Sequence, residues 1–156
     1  MRTARQLCIA ILVLTALSGL IGGYMLISDP TGRSMRMLTT DLKGTPFIDY
    51  TTPGWILLIA IGACSAIAAV IALQHRKIYP YLMMAEGVIV FIWILVQIEM
   101  IREFNFLQFI FALFGITLFL LGNLIRKSRK QGAHPVHSMP APNPRKSHHH
   151  KHRKHR

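Results

Sequence analysis

The sequence predicts an all-α integral membrane protein. It reads as an antiparallel four-helix bundle, N-in/C-in, with a short amphipathic helix in the first outer loop and a disordered C-terminal tail. Three observations carry that expectation. First, the 156 residues are 52% hydrophobic and only 15% charged, against about 25% charged in a typical soluble domain. Second, the formal net charge is nonetheless +12, and it is segregated: residues 126–156 hold 10 of the 18 Lys and Arg and no Asp or Glu. Third, four apolar runs reach the roughly 20 residues that a helix needs to cross a hydrocarbon core about 30 Å thick. Together these exclude an ordinary soluble enzyme and a nucleic-acid-binding domain with a basic folded face.

The four runs cover about 6–27, 54–74, 80–100 and 105–125. The first, second and fourth carry no charge; the third holds Glu86 inside and Glu99 near its end. So many spanning runs in so short a chain leave no residues to cover them, and lipid must be their solvent. The first run follows Arg2 and Arg5, as a signal peptide would. Its apolar stretch of about 20 residues exceeds the 7–15 of a signal core, so it reads as an uncleaved span. The membrane domain is then 1–127 and the tail 128–156.

Lys and Arg near the span ends set orientation. Arg2 and Arg5, then Arg76 and Lys77, then Arg126, Lys127, Arg129 and Lys130 mark three basic segments free of acid. The connection after span 1 instead mixes Arg33, Arg36 and Lys43 with Asp29, Asp41 and Asp49, and Arg102 lies between Glu99 and Glu103. Both termini are therefore expected in the cytoplasm.

Helix packing in lipid depends on small residues that let backbones approach. Ser18, Gly19, Gly22 and Gly23 in span 1, Gly62 and Ala66 in span 2, and Gly115 and Gly122 in span 4 sit at such spacings. They read either as packing inside the bundle or as a face for a second copy. Tyr24, Tyr50, Trp55, Tyr79, Tyr81, Phe104 and Phe106 lie near span ends, as an interfacial aromatic belt would.

The outer loop covers residues 28–53. Asp29 followed by Pro30 reads as a helix start. Met35, Leu38 and Leu42 lie at i, i+3 and i+7, with Gly44 as a stop, which predicts a short amphipathic helix on the membrane face. The three aspartates fit no calcium-loop spacing, so no metal site is expected. The pattern Gly22-Gly23, Asp29-Pro30-x-Gly32 and Thr45-Pro46-Phe47-x-Asp49-Tyr50-x-x-Pro53-Gly54 resembles small bacterial four-span proteins of unknown function. The resemblance covers about 10–105. It implies this architecture and a bacterial inner membrane, not an activity.

Glu86 is the one ionisable residue well inside a span. A carboxylate at that depth is costly and marks a functional site or a polar helix contact. Trp93 and Gln97 follow it at i+7 and i+11, and Gln108, Asn123 and Ser65 are candidate partners on neighbouring spans. One reading is a proton- or cation-coupled site in a minimal transporter. Small multidrug exporters are similar in size, span count and reliance on one membrane Glu, but theirs lies in the first span, which here has no acid. The other reading is a carboxylate bonded to a neighbouring helix or reaching Arg76 or Lys77.

Chemistry for an enzyme is absent from the pattern. Cys8 and Cys64 form no CxxC pair, and His75 is the only histidine outside the tail, so axial haem ligation lacks a second ligand. No phosphate-cradling glycine loop occurs, and no cofactor is expected. The tail, rich in Pro, Lys, Arg and His, has too few large apolar residues to fold. Attraction to anionic headgroups, centred on Arg126, Lys127, Arg129 and Lys130, is its first expected role. RNA or ribosome contact comes second, and unspecific metal binding by His148, His149, His150, His152 and His155 third. The expected role of the whole is a partner-binding or accessory subunit, the partner being either a second copy or another membrane protein.

Overall fold

The computed structural model describes residues 2–101 and 106–131. Four helices dominate it: α1 (Arg2–Ser28), α2 (Thr51–Leu73), α3 (Tyr79–Ile101) and α4 (Phe106–Gln131). Each is long and apolar enough to cross a membrane. Among the described residues there is no strand. The chain is a multi-pass membrane protein built as an antiparallel four-helix bundle.

Local chemistry sets the helix ends. A proline disfavours helical backbone in the residue before it; accordingly α1 stops at Ser28, just ahead of Asp29-Pro30. Asp49 Oδ1 accepts the Thr51 N–H at 2.9 Å, satisfying a donor that the start of α2 leaves open. Pro53 follows in the first turn, where a missing N–H costs nothing. The α2–α3 turn closes with His75 in the left-handed region at φ 56°.

The helices form a closed square. α1 lies along α2 and α3 along α4, while α1 also meets α4 and α2 meets α3. Both long pairings run backbone to backbone. A Cβ added at Gly19 would stand 2.6 Å from Gly62 N, and one at Gly23 2.6 Å from Leu58 N. In the other pair, a Cβ at Gly87 would stand 2.5 Å from Gly115 O, and one at Gly122 3.0 Å from Pro80 O. Dispersion and close approach, rather than water exclusion, hold helices together in lipid, and these contacts supply both.

Three apolar layers fill the centre. Cys8, Leu12, Ala72, Tyr79, Leu118 and Ile125 pack at the end where α1 starts and α4 finishes. Ile61, Val90 and Trp93 occupy the middle. Leu26, Leu42, Tyr50 and Met100 close the loop end.

Several expectations need correction. The predicted amphipathic helix is two 3-10 turns instead, Arg33–Met35 and Thr39–Leu42. Leu42 is buried, but Leu38 is 62% exposed. Gly19, Gly22, Gly23, Gly62, Gly115 and Gly122 are buried as packing residues and Ala66 is half-buried, whereas Ser18 faces outward. Of the aromatic belt, Tyr24, Trp55, Tyr81 and Phe106 are exposed, but Tyr50 and Tyr79 are core residues. The α4 helix runs on to Gln131, past the expected start of the tail at 128. Phe104, Arg102, Glu103 and the tail from residue 132 onward, with the roles expected of it, lie outside the described residues.

Candidate functional site

The buried carboxylate is the chemical centre of the bundle. Glu86 is 3% exposed, and its Oε1 accepts a hydrogen bond from Ser65 Oγ at 2.6 Å. Ser65 is itself fully buried. The bond ties α2 to α3, and such interhelical polar contacts in membranes contribute about 0.6–2 kcal/mol. Arg76 does not reach Glu86; its Nε faces Gln74 Oε1 at 3.4 Å. Thr15, fully buried on α1, turns its hydroxyl to its own helix, donating to Ile11 O at 2.8 Å.

Just ahead of Ser65 the α2 helix widens. Residues Leu57–Ala63 form a π-helical segment, a rare conformation that concentrates at functional sites. Gly62 lies inside it, pressed on the α1 backbone near Leu20. The spacing Gly62-x-x-x-Ala66 pointed to the contact; nothing in the residue pattern signalled the π segment.

The expected polar face of α3 is divided. Glu86 sits toward the end where α1 starts, while Trp93 and Gln97 lie toward the loop end. There they line a cleft of about 20 Å³ with Leu26, Met37, Tyr50 and Met100, room for about one water. Trp93 Nε1 is buried with no hydrogen-bond partner among the described residues. Gln108 is buried near the start of α4 and is not brought to Glu86.

The outer-loop pattern assembles into one cap over that cleft. Tyr50 N–H donates to Pro30 O at 3.1 Å, and Tyr50 Oη donates to Leu38 O at 2.9 Å. Gly32 has φ 74°, and a Cβ there would stand 2.8 Å from the Tyr50 ring, so two requirements converge on glycine. Gly54 meets the last turn of α1 at Leu26 and Ile27. Pro53 is buried and Phe47 packs on the loop-end layer, while Pro46 is exposed. Gly32, Phe47, Tyr50 and Gly54 thus pack the loop back onto the bundle.

Asp29 is the polar hub of the cap. Thr31 Oγ1 donates to its Oδ1 at 2.6 Å, and the Ser34 N–H donates to its Oδ2 at 2.8 Å. The Thr31 hydroxyl first, then the Ser34 amide, hold the Asp29 carboxyl below the usual range. A lowered folded-state pKa gives stability that is present above the unfolded value and lost as pH falls through the folded one. Acidification below about pH 4 should therefore loosen the loop, seen as lost amide-exchange protection at Thr31 and Ser34, relative to the unstructured chain at the same pH. An Asp29→Asn variant should show that low protection at every pH; wild-type protection unchanged through the Asp29 titration would refute the assignment.

At the other end, Arg126, Lys127, Arg129 and Lys130 form the last turns of α4. Lys127, Arg129 and Lys130 are exposed and Arg126 is half-buried. Arg129 stacks over Tyr79, 4.5 Å from the ring centroid, and Arg126 lies 5.9 Å from that of Tyr81. The free cysteines Cys8 and Cys64 lie on different helices, the first fully buried and the second half-buried. Spacing rules missed Gly87, and they placed Tyr79 and Tyr81 in the aromatic belt without their arginine contacts. A lone glycine facing Gly115 has no small residue at i±4, and aromatics near span ends ordinarily face the interface.

Fold and site together define a multi-pass integral membrane protein with a capped, glycine-locked bundle and, among the described residues, one buried carboxylate. No protein-family model matches the chain, and no curated protein or solved structure matches it.

Proposed function

We propose that this chain is a non-enzymatic accessory subunit of the bacterial inner membrane, similar to small four-span proteins of unknown function. Both termini would lie in the cytoplasm, and the protein would act by packing against a membrane-protein partner or a second copy. One observation carries this reading. The buried carboxylate of the bundle faces inward and is engaged, Glu86 with Ser65, and the paired glycines lie against opposing backbones. The outward faces of the helices, by contrast, present large apolar side chains such as Leu17, Ile21, Ile67 and Leu120. The cations Arg126, Lys127, Arg129 and Lys130 would add attraction to anionic headgroups, about 1 kcal/mol each near the surface. Purification in mild detergent with defined stoichiometry tests the reading. A stable complex is expected, and a monomer without partner across several mild detergents would overturn it.

A proton- or cation-coupled transporter or channel subunit is the second reading. It is favoured by the π segment that ends two residues before Ser65, the partner of Glu86. Glu86→Gln separates the two. Glutamine keeps an acceptor for the Ser65 hydroxyl, so assembly should change by less than about 1 kcal/mol. Under the first reading partner capture is unchanged. Loss of pH-dependent cation flux in reconstituted vesicles, with assembly intact, would establish the second.

A further inference from the structure

The geometry points to a site for one anionic-phospholipid headgroup at the end of the bundle where α1 starts and α4 finishes, held by Arg126 and Arg129 of α4 and Arg5 of α1. The two α4 guanidinium groups lie over aromatic rings of α3, Arg129 over Tyr79 and Arg126 over Tyr81. Such stacking uses the faces of the planar groups and leaves their N–H edges to bind. Arg126 spends one donor on Asn123 Oδ1, at 3.1 Å. Its Nε is buried without a partner, and so is Nε of Arg5. Arg5 lies one turn before Cys8, which packs in the same core layer as Tyr79 and Ile125. Three arginines from two helices thus share one end, two of them with buried donors unanswered.

The missing counter-charge is not supplied by the described protein. Asp29, Asp41, Asp49 and Glu99 belong to the loop end, and Glu86 is bonded inside the bundle. Guanidinium edges lacking a carboxylate match the oxygens of a phosphate, which arginine takes in bidentate fashion. The location selects a lipid as its source. Arg126 lies twenty residues beyond Phe106, about 30 Å along the helix, which is the thickness of the hydrocarbon core. Its guanidinium therefore stands at headgroup level. Leu7, Ile78 and Leu124, each at least half exposed around the same end, offer apolar surface for acyl chains that a soluble anion would not use. Basic pockets between helices at this level bind such headgroups.

This goes beyond the surface attraction proposed above, with which it shares two residues, and the two ideas fail separately. The full chain in detergent is titrated with dioleoylphosphatidylglycerol, dioleoylphosphatidylcholine or inorganic phosphate, and bound species are counted by native mass spectrometry. One phosphatidylglycerol is expected to be retained, at least about tenfold tighter than phosphatidylcholine. Inorganic phosphate should not displace it. The Arg126→Gln/Arg129→Gln pair should lose that preference with helicity unchanged, and Lys127→Gln/Lys130→Gln should keep it. Should the glutamine pair fail to fold, Arg5→Gln and Arg126→Lys/Arg129→Lys carry the test, since both should weaken binding and the lysine pair does so at constant charge. Equal losses in the lysine-to-glutamine and arginine-to-glutamine pairs would overturn the site while leaving surface attraction standing. Displacement by phosphate would assign a soluble anion instead. No preference over phosphatidylcholine would overturn both ideas.

Discussion

Gly87→Leu is expected to abolish the assembled bundle. The Cβ alone would stand 2.5 Å from Gly115 O and 2.8 Å from Phe119 N. Both are backbone atoms, so no side-chain rotation relieves the clash, and α3 and α4 must separate along their length. Overpacking a core costs typically about 1–3 kcal/mol when side chains can adjust; with backbone on the opposing side the cost should reach or exceed the upper end. The pairing also positions Glu86, the preceding residue, against Ser65, so its loss spreads to the α2–α3 contact. Detergent size-exclusion and thermal unfolding monitored by tryptophan fluorescence read the effect. Ala85→Leu, on the exposed face two residues away, should leave both traces unchanged. A Gly87→Leu protein that elutes and melts like the wild type would show that the α3–α4 crossing is not as close as described.

Tyr50→Ala should open the outer loop while the four helices persist. Tyr50 is 2% exposed, donates to Leu38 O at 2.9 Å and lies against Gly32. Removing a buried aromatic ring typically costs about 3–5 kcal/mol. That cost falls on the 3-10 turns rather than on the helices, because the ring joins loop to bundle through Leu26, Leu42 and Met100. Tyr50→Phe keeps the ring and removes only the hydroxyl bond, worth about 0.5–1.5 kcal/mol. Limited trypsin digestion at Arg33, Arg36 and Lys43 should be much faster in Tyr50→Ala and slightly faster in Tyr50→Phe. Equal digestion rates in all three proteins would rule out this role.

The four helices were legible because membrane length and apolarity are set by the solvent, not by neighbours. Runs near 6–27, 54–74, 80–100 and 105–125 became helices with ends shifted by at most six residues. The amphipathic helix was not legible, because side chains far apart in sequence claim its backbone. Asp29 takes the Ser34 N–H and Tyr50 binds Leu38 O, groups that a continuous helix would pair within itself. Ser65 was one of several candidate partners for Glu86; choosing it requires the rotation of α2, which the residue pattern does not contain. Gly87 escaped because small-residue spacing rules search along one helix, whereas its match, Gly115, lies on another.

The π segment acts as a phase shift in α2. Each of its hydrogen-bonded rings takes in one residue more than an α-helical ring, so every side chain beyond it is turned relative to an uninterrupted helix of equal length. Upstream, Gly54 meets α1; within the segment, Gly62 does so again; beyond it, Ser65 faces Glu86 on α3. One helix thereby serves two neighbours whose seams are out of step with a 3.6-residue repeat. The angular position of the Ser65 hydroxyl thus depends on the number of residues that the segment Leu57–Ala63 takes up as well as on their identity.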